Sequence, residues 1–94
     1  MFSDLALHDA TLEQVVLSWA SGQCTFRLVL VGGERHELTF FGVSNLHAPR
    51  QFPWGPSVSV NSVHSNGNGA YEVELQSGDV MAIEAESWKL QLSE

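Results

Sequence analysis

Residues 11–40 read TLEQVVLSWASGQCTFRLVLVGGERHELTF, and the alternation along them decides the fold. Val15, Leu17 and Trp19 fall on one side of a first run, and Cys24, Phe26 and Leu28 on one side of a second. A period of two is strand geometry, because successive side chains of an extended chain point to opposite faces. A two-residue loop at Ser21-Gly22 sets Trp19 opposite Cys24, Leu17 opposite Phe26 and Val15 opposite Leu28, so one face of the hairpin is wholly apolar.

The next glycine break extends this pattern. A two-residue loop at Gly32-Gly33 sets Leu28 against Glu37 and Leu30 against Arg35, which mixes the faces. With Gly32, Gly33 and Glu34 all in the loop, Leu28 faces Leu38 and Phe26 faces Phe40, and the apolar patch grows. His36 then lies opposite Leu30, near a strand end, in a half-exposed packing position. The same reasoning puts Ser77-Gly78-Asp79 in a loop and pairs Leu75 with Met81, Val73 with Ile83 and Tyr71 with Ala85. That register sets Glu72 across from Glu84, a like-charge pair that costs up to about 1 kcal/mol.

Residues 57–64 alternate as a further strand with Val58 and Val60 inward, and Asn66-Gly67-Asn68-Gly69 supplies residues that accept positive φ, as a hairpin to a strand from Ala70 requires. Trp88, Leu90 and Leu92 make a last short strand. Residues 2–10 suffice for a helical turn capped by Ser3 or Asp4, not for a free-standing helix, and read as a lead-in that docks on the sheet. The expected fold is all-β, one domain over residues 1–94: an antiparallel meander of about seven strands forming a twisted sheet or partial barrel. Its core is Val15, Leu17, Trp19, Phe26, Leu28, Leu38, Phe40, Val73, Leu75, Met81 and Ile83. Open edge strands are left over, and homodimerisation is one way to cover them.

Composition bounds the function. Apolar residues make up 44% of the chain, which suits a folded domain rather than a disordered one. Eleven acidic against four basic residues give a net charge of -7, which repels phosphate backbones and anionic headgroups and leaves a protein partner, favourably a basic one. Nucleic acid and membrane are not expected partners. Cys24 is the only cysteine, so no internal disulfide forms, and the N-terminus has no charged leader followed by an apolar stretch; both fit a cytoplasmic location.

One stretch does not alternate. Ser44 to Pro56 carries three prolines, which withhold ladder hydrogen bonds, and a loop this long in a small domain is more often functional or a packed lid than idle. Phe52 and Trp54 offer rigid contact area and Arg50 and His47 polar handles, the mixture of an interface hot spot. The other reading folds Phe52 and Trp54 back over an open end of the sheet. A small-ligand pocket under the loop, with His47, Arg50 and Asn61 as polar contacts, is the alternative to protein binding.

Signals for chemistry are weak. His8, His36, His47 and His64 lack the paired spacing of metal sites, so neither a metal nor a cofactor is expected. Alternation buries Cys24 among Trp19, Phe26 and Phe40, away from any base. No serine has a Gly-x-Ser-x-Gly context, and Gly67 and Gly69 lack the strand-to-helix setting of a phosphate loop. His8-Asp9 followed by Thr11 either orients an imidazole for catalysis or begins the first strand with local hydrogen bonds.

Leu7-His8-Asp9-Ala10, Pro53-Trp54-Gly55-Pro56-Ser57 leading to Val60-Asn61, and Glu74-Leu75-Gln76-Ser77-Gly78-Asp79 together resemble small uncharacterised bacterial domains, some grouped with the immunity proteins of toxin systems. The resemblance implies a bacterial cytosolic domain that binds protein, and it carries no catalytic or ligand residue onto this chain. The expected function is therefore non-enzymatic protein binding, an immunity-type inhibitor of a basic partner being one form, with His47, Arg50, Phe52, Trp54 and Asn61 as candidate binding residues.

Overall fold

The registers of the hairpins follow from where a positive φ can be placed. At the second hairpin Leu30 N–H donates to the Glu34 carbonyl (2.8 Å) and Gly33 N–H to the Leu30 carbonyl (2.9 Å), so the loop is Val31-Gly32-Gly33 and ends on a glycine at φ +94°. At the last hairpin Leu75 N–H donates to the Asp79 carbonyl (2.9 Å) and Gly78 N–H to the Leu75 carbonyl (3.0 Å), so the loop is Gln76-Ser77-Gly78 and ends on a glycine at φ +105°. A three-residue hairpin places the left-handed residue last, which only glycine does without steric cost. Each loop therefore starts one residue earlier than the alternation alone suggests, and Glu34 and Asp79 leave it.

The computed structural model describes residues 1–52 and 55–93. A short 3-10 turn, Phe2–Asp4, is followed by eight strands: β1 (Thr11–Ser18), β2 (Gln23–Val29), β3 (Arg35–Phe41), β4 (Asn45–His47), β5 (Val58–Ser65), β6 (Ala70–Leu75), β7 (Val80–Glu84) and β8 (Ser87–Leu92). The chain is all-β and antiparallel. The strand beyond the expected seven is β4, inside the proline-rich stretch. Partners move by two residues relative to expectation, which preserves the faces: Phe26 lies across from Leu38, Cys24 from Phe40, Val73 from Met81 and Tyr71 from Ile83. His36 faces Leu28 instead of Leu30. Glu72 faces Ala82 and Glu84 faces Ala70, so the expected like-charge pair does not form.

The first hairpin corrects the core. Ser18 pairs with Gln23, Leu17 with Cys24 and Val15 with Phe26, leaving Trp19 to Gly22 as the loop. A two-residue turn with glycine second would need positive φ at Ser21 as well; among the described residues the one non-glycine with positive φ is Asp9. Trp19 is consequently 90% exposed and Leu17 41% exposed, while Val15 is partly buried; Trp19 and Leu17 are not core residues. A bulge between Leu12 and Gln14 turns Leu12 inward opposite Leu28, and a second between Val60 and Ser62 lets both Val60 and Val63 face inward.

The strands form one open sheet in the order β4-β7-β6-β5-β1-β2-β3-β8. Residues 42–44 join β3 to β4 and residues 85–86 join β7 to β8, strands from opposite ends of that order. Links so short reach on the order of 10 Å, so the two ends of the sheet are drawn together. Ser44 N–H to the Glu84 carbonyl and Glu86 N–H to the Phe41 carbonyl, both 2.9 Å, tie that corner. Between the two halves lie Phe26, Leu28, Leu38 and Phe40 from one side and Val60, Val73, Leu75, Met81 and Ile83 from the other.

The lead-in docks as expected, though not by the expected caps. Its 3-10 turn has no side-chain cap, and the Ser3 hydroxyl instead accepts from Ser65 N–H (3.0 Å). Phe2 is buried with its ring centroid 5.8 Å from Phe40, 4.9 Å from Tyr71 and 5.3 Å from Trp88, so one side chain seals β3, β6 and β8 together. Among the described residues no helix is long and apolar enough to cross a membrane.

Candidate binding surface

The stretch Ser44 to Pro56 begins as an edge strand, with Asn45 across from Glu84, Leu46 from Ile83 and His47 from Ala82. Pro49 cannot donate to a ladder, and pairing stops before it. The chain is then caught by Asp79, 4% exposed, whose two carboxylate oxygens accept the Gln51 and Phe52 N–H groups, both at 3.3 Å. A Cβ at Gly78 would stand 3.4 Å from the Phe52 ring, so the aromatic lies directly over the loop glycine. Phe52 is half-exposed (49%) and so both covers the hairpin and presents surface. Asp79 was not among the candidate residues. A carboxylate directly after a loop glycine is common, and alternation does not show that it points back at another loop.

The structure distributes the candidates. Arg50 lines a groove of about 270 Å³ with Leu12, Glu13, Val15, Ala48 and Met81, in which the stretch forms one wall and β1 the other. His47 is exposed on β4 in a row across the outer face, His47–Ala82–Glu72–His64. Asn61 sits in the β5 bulge, where its amide donates to Glu74 and its carbonyl accepts from His8 Nδ1 (2.7 Å). Trp54 lies outside the described residues.

The Asn61 neighbourhood gathers His8 and Asp9 as well. His8 Nε2 is 3.6 Å from the Asp9 carboxylate, which accepts from Gln76 Nε2 at 2.6 Å, and Gln76 Nε2 also reaches the Val60 carbonyl at 3.2 Å. These bonds tie the lead-in to β5 and to the last hairpin loop. The depression they line is shallow and its His8, Asp9, Asn61 and Glu74 side chains are exposed, so nothing there withdraws a reacting group from water.

A feature absent from the candidate set lies along β1. β1 is paired on one side by β2 throughout, but on the other side it meets β5 only at Thr11 and Leu12. From Glu13 to Ser18 the second edge has no strand partner among the described residues. Val16 (38%), Leu17 (41%) and Trp19 (90%) are exposed there. A recess of about 190 Å³ separates Leu17, Ser18 and Trp19 from Val43, Ser44, Asn45 and Leu46. The Arg50 groove is a separate depression further back along the same strand, so β1 faces the 43–46 segment at one place and Ala48 and Arg50 at another. The sequence signal was the apolar side chain at Val16, on the polar face of an alternating strand.

Charge divides between the halves. Arg27 pairs with Glu37 (3.4 Å) and Arg35 with Glu13 (2.5 Å), and Lys89 lies on β8, all in the β1–β2–β3–β8 half. The outer face of β6 and β7 exposes Glu72, Glu74 and Glu84 with no basic residue on either strand. Among the described residues Glu72 and Glu84 have no ion-pair partner. That face is acidic as it stands.

Cys24 is fully buried, and loss of hydration at that site pushes its thiol from 9.0 up to about 11, so the thiolate needed for nucleophilic attack is suppressed. Trp19, expected over it, is in solvent. Among the described residues no three His, Cys, Asp or Glu side chains converge on one point. Comparison with protein-family profiles, with curated proteins and with solved structures finds no match to this chain.

Proposed function

We propose that the domain is a protein-binding module whose contact surface is the strip between β1 and the 43–50 segment, extended by Phe52. The carrying observation is the exposure of Leu17 and Trp19 at an apolar recess, beside a strand edge with no strand partner among the described residues, in a chain that buries Phe2, Phe26 and Phe40. Scattered apolar side chains are ordinary on a surface, whereas a cluster next to an apolar recess favours a partner. A net charge of -7 and the Glu72, Glu74 and Glu84 face favour a basic one. An inhibitor of a basic toxin-like protein, as the resemblance to immunity proteins suggests, is one concrete form. The small-ligand reading is less well supported, because His47, Arg50 and Asn61 belong to three different surface features.

The test is affinity capture from the source cell with the parent domain, Trp19→Ala, and a Glu72→Lys/Glu84→Lys variant. A single basic protein retained by the parent, lost with Trp19→Ala at nearly unchanged melting temperature and weakened by charge reversal, is the expected result. Capture of nothing by the parent contradicts the proposal.

A further inference from the structure

We propose that the partner binds by strand addition, an extended segment of alternating apolar and basic residues pairing with the second edge of β1 and lying in the recess against Val43–Leu46. The inference rests on the protein-binding reading and says how it is done. An unpaired strand edge presents a row of backbone N–H and C=O groups that only another extended backbone satisfies in register. The edge with no strand partner among the described residues runs from Glu13 to Ser18, which at about 3.3 Å per residue accepts a segment of roughly five or six residues.

The walls define the side chains of the occupant. Side chains on one face of an added strand meet Val15, Leu17 and Leu46, which calls for apolar residues at every second position. The other positions face solvent near Glu84, which is paired across from Asn45, and Glu86, whose carboxylate lies against Gly42. No lysine or arginine lines the recess at Leu17 and Trp19, and Arg50 is the one basic residue lining the separate groove further along β1. Lysine or arginine at the alternate positions therefore complements the site, whereas a second copy of this chain brings another net charge of -7.

A short alternating valine-lysine peptide, capped at both ends, is the probe, with isotope-labelled domain observed by NMR. Binding is expected at one site, with amide shifts confined to residues 13–19 and 43–50. N-methylation of the peptide backbone on the pairing edge is expected to weaken it more than tenfold, since it removes the donors that strand pairing uses. Leu17→Lys, which keeps the fold because Leu17 is already exposed, is expected to abolish binding, and Glu84→Lys with Glu86→Lys to weaken it about tenfold at low salt. Shifts centred elsewhere, indifference to N-methylation, or self-association of the free domain through β1 in sedimentation each overturn strand addition. If a native partner is captured while the peptide fails at β1, protein binding stands and this mode of it falls; if no partner is captured either, both fall.

Discussion

Replacing Asp79 by alanine removes the anchor of the 48–52 segment, and the cost can be worked from its bonds. Among its partners are two backbone N–H groups, from Gln51 and Phe52, each at 3.3 Å, and these two set a lower bound on the cost. Hydrogen bonds to a charged group contribute about 1.5 to 3 kcal/mol each, and the long distances place both at the lower end, so the expected loss is at least about 3 kcal/mol. That is a large share of the roughly 5 to 15 kcal/mol that holds a domain together. At about 4 to 8 °C per kcal/mol for a domain of this size, the melting temperature falls by at least about 12 to 24 °C. Asp79→Asn keeps one acceptor oxygen and loses the charge, so it is expected near half that cost. Circular dichroism gives the melting temperature, and hydrogen exchange at Gln51 and Phe52 shows whether the loss is local or global. Both variants melting within about 2 °C of the parent, with unchanged exchange at those amides, refutes the reasoning, because a surface substitution moves stability by no more than about 0.5 kcal/mol.

Other perturbations address the rest of the structure. Phe2→Ala empties the ring site between Phe40, Tyr71 and Trp88 and is expected to cost about 3 to 5 kcal/mol, read from the urea midpoint; a cost under about 1 kcal/mol would mean the lead-in is not part of the core. Burial of Cys24 favours its neutral form in the folded chain, so the unfolded chain, ionising at 9.0, releases its proton first. Stability is therefore whole below pH 9 and declines by about 2 to 3 kcal/mol as pH rises to about 11, a slope that Cys24→Ala lacks. Parallel pH profiles for the parent and Cys24→Ala between pH 8 and 11 count against this.

Much of the fold was legible because burial and alternation report the same thing. Phe26, Leu28, Leu38 and Phe40 alternate strictly, lie on strands paired on both sides, and are buried as expected. The registers were each two residues out because a one-residue move of a loop shifts partners by two and keeps every face, so hydrophobic pattern cannot detect it; the position of the loop glycine can. β1 broke the pattern for a different reason. It loses its second neighbour after Leu12, so Leu17 and Trp19 alternate like core residues without a layer above them. At the site, the proline-rich stretch was chosen on its side chains alone, and what stands opposite it depends on which strand edge is left open. Asp79 and the β1 edge are long-range consequences of packing; Asp79 leaves no local mark, and the edge leaves only the apolar Val16 on an otherwise polar face.

The measurement that bears most directly on the proposed surface is a paired comparison of Trp19→Ala with the parent, melting temperature against affinity for the captured partner. Because Trp19 is 90% exposed, the expected result is a melting temperature within about 4 °C of the parent and at least a tenfold loss of affinity. A variant that binds as tightly as the parent, or one that melts more than about 10 °C lower, would show that Trp19 is not a contact for a partner but ballast or part of the fold.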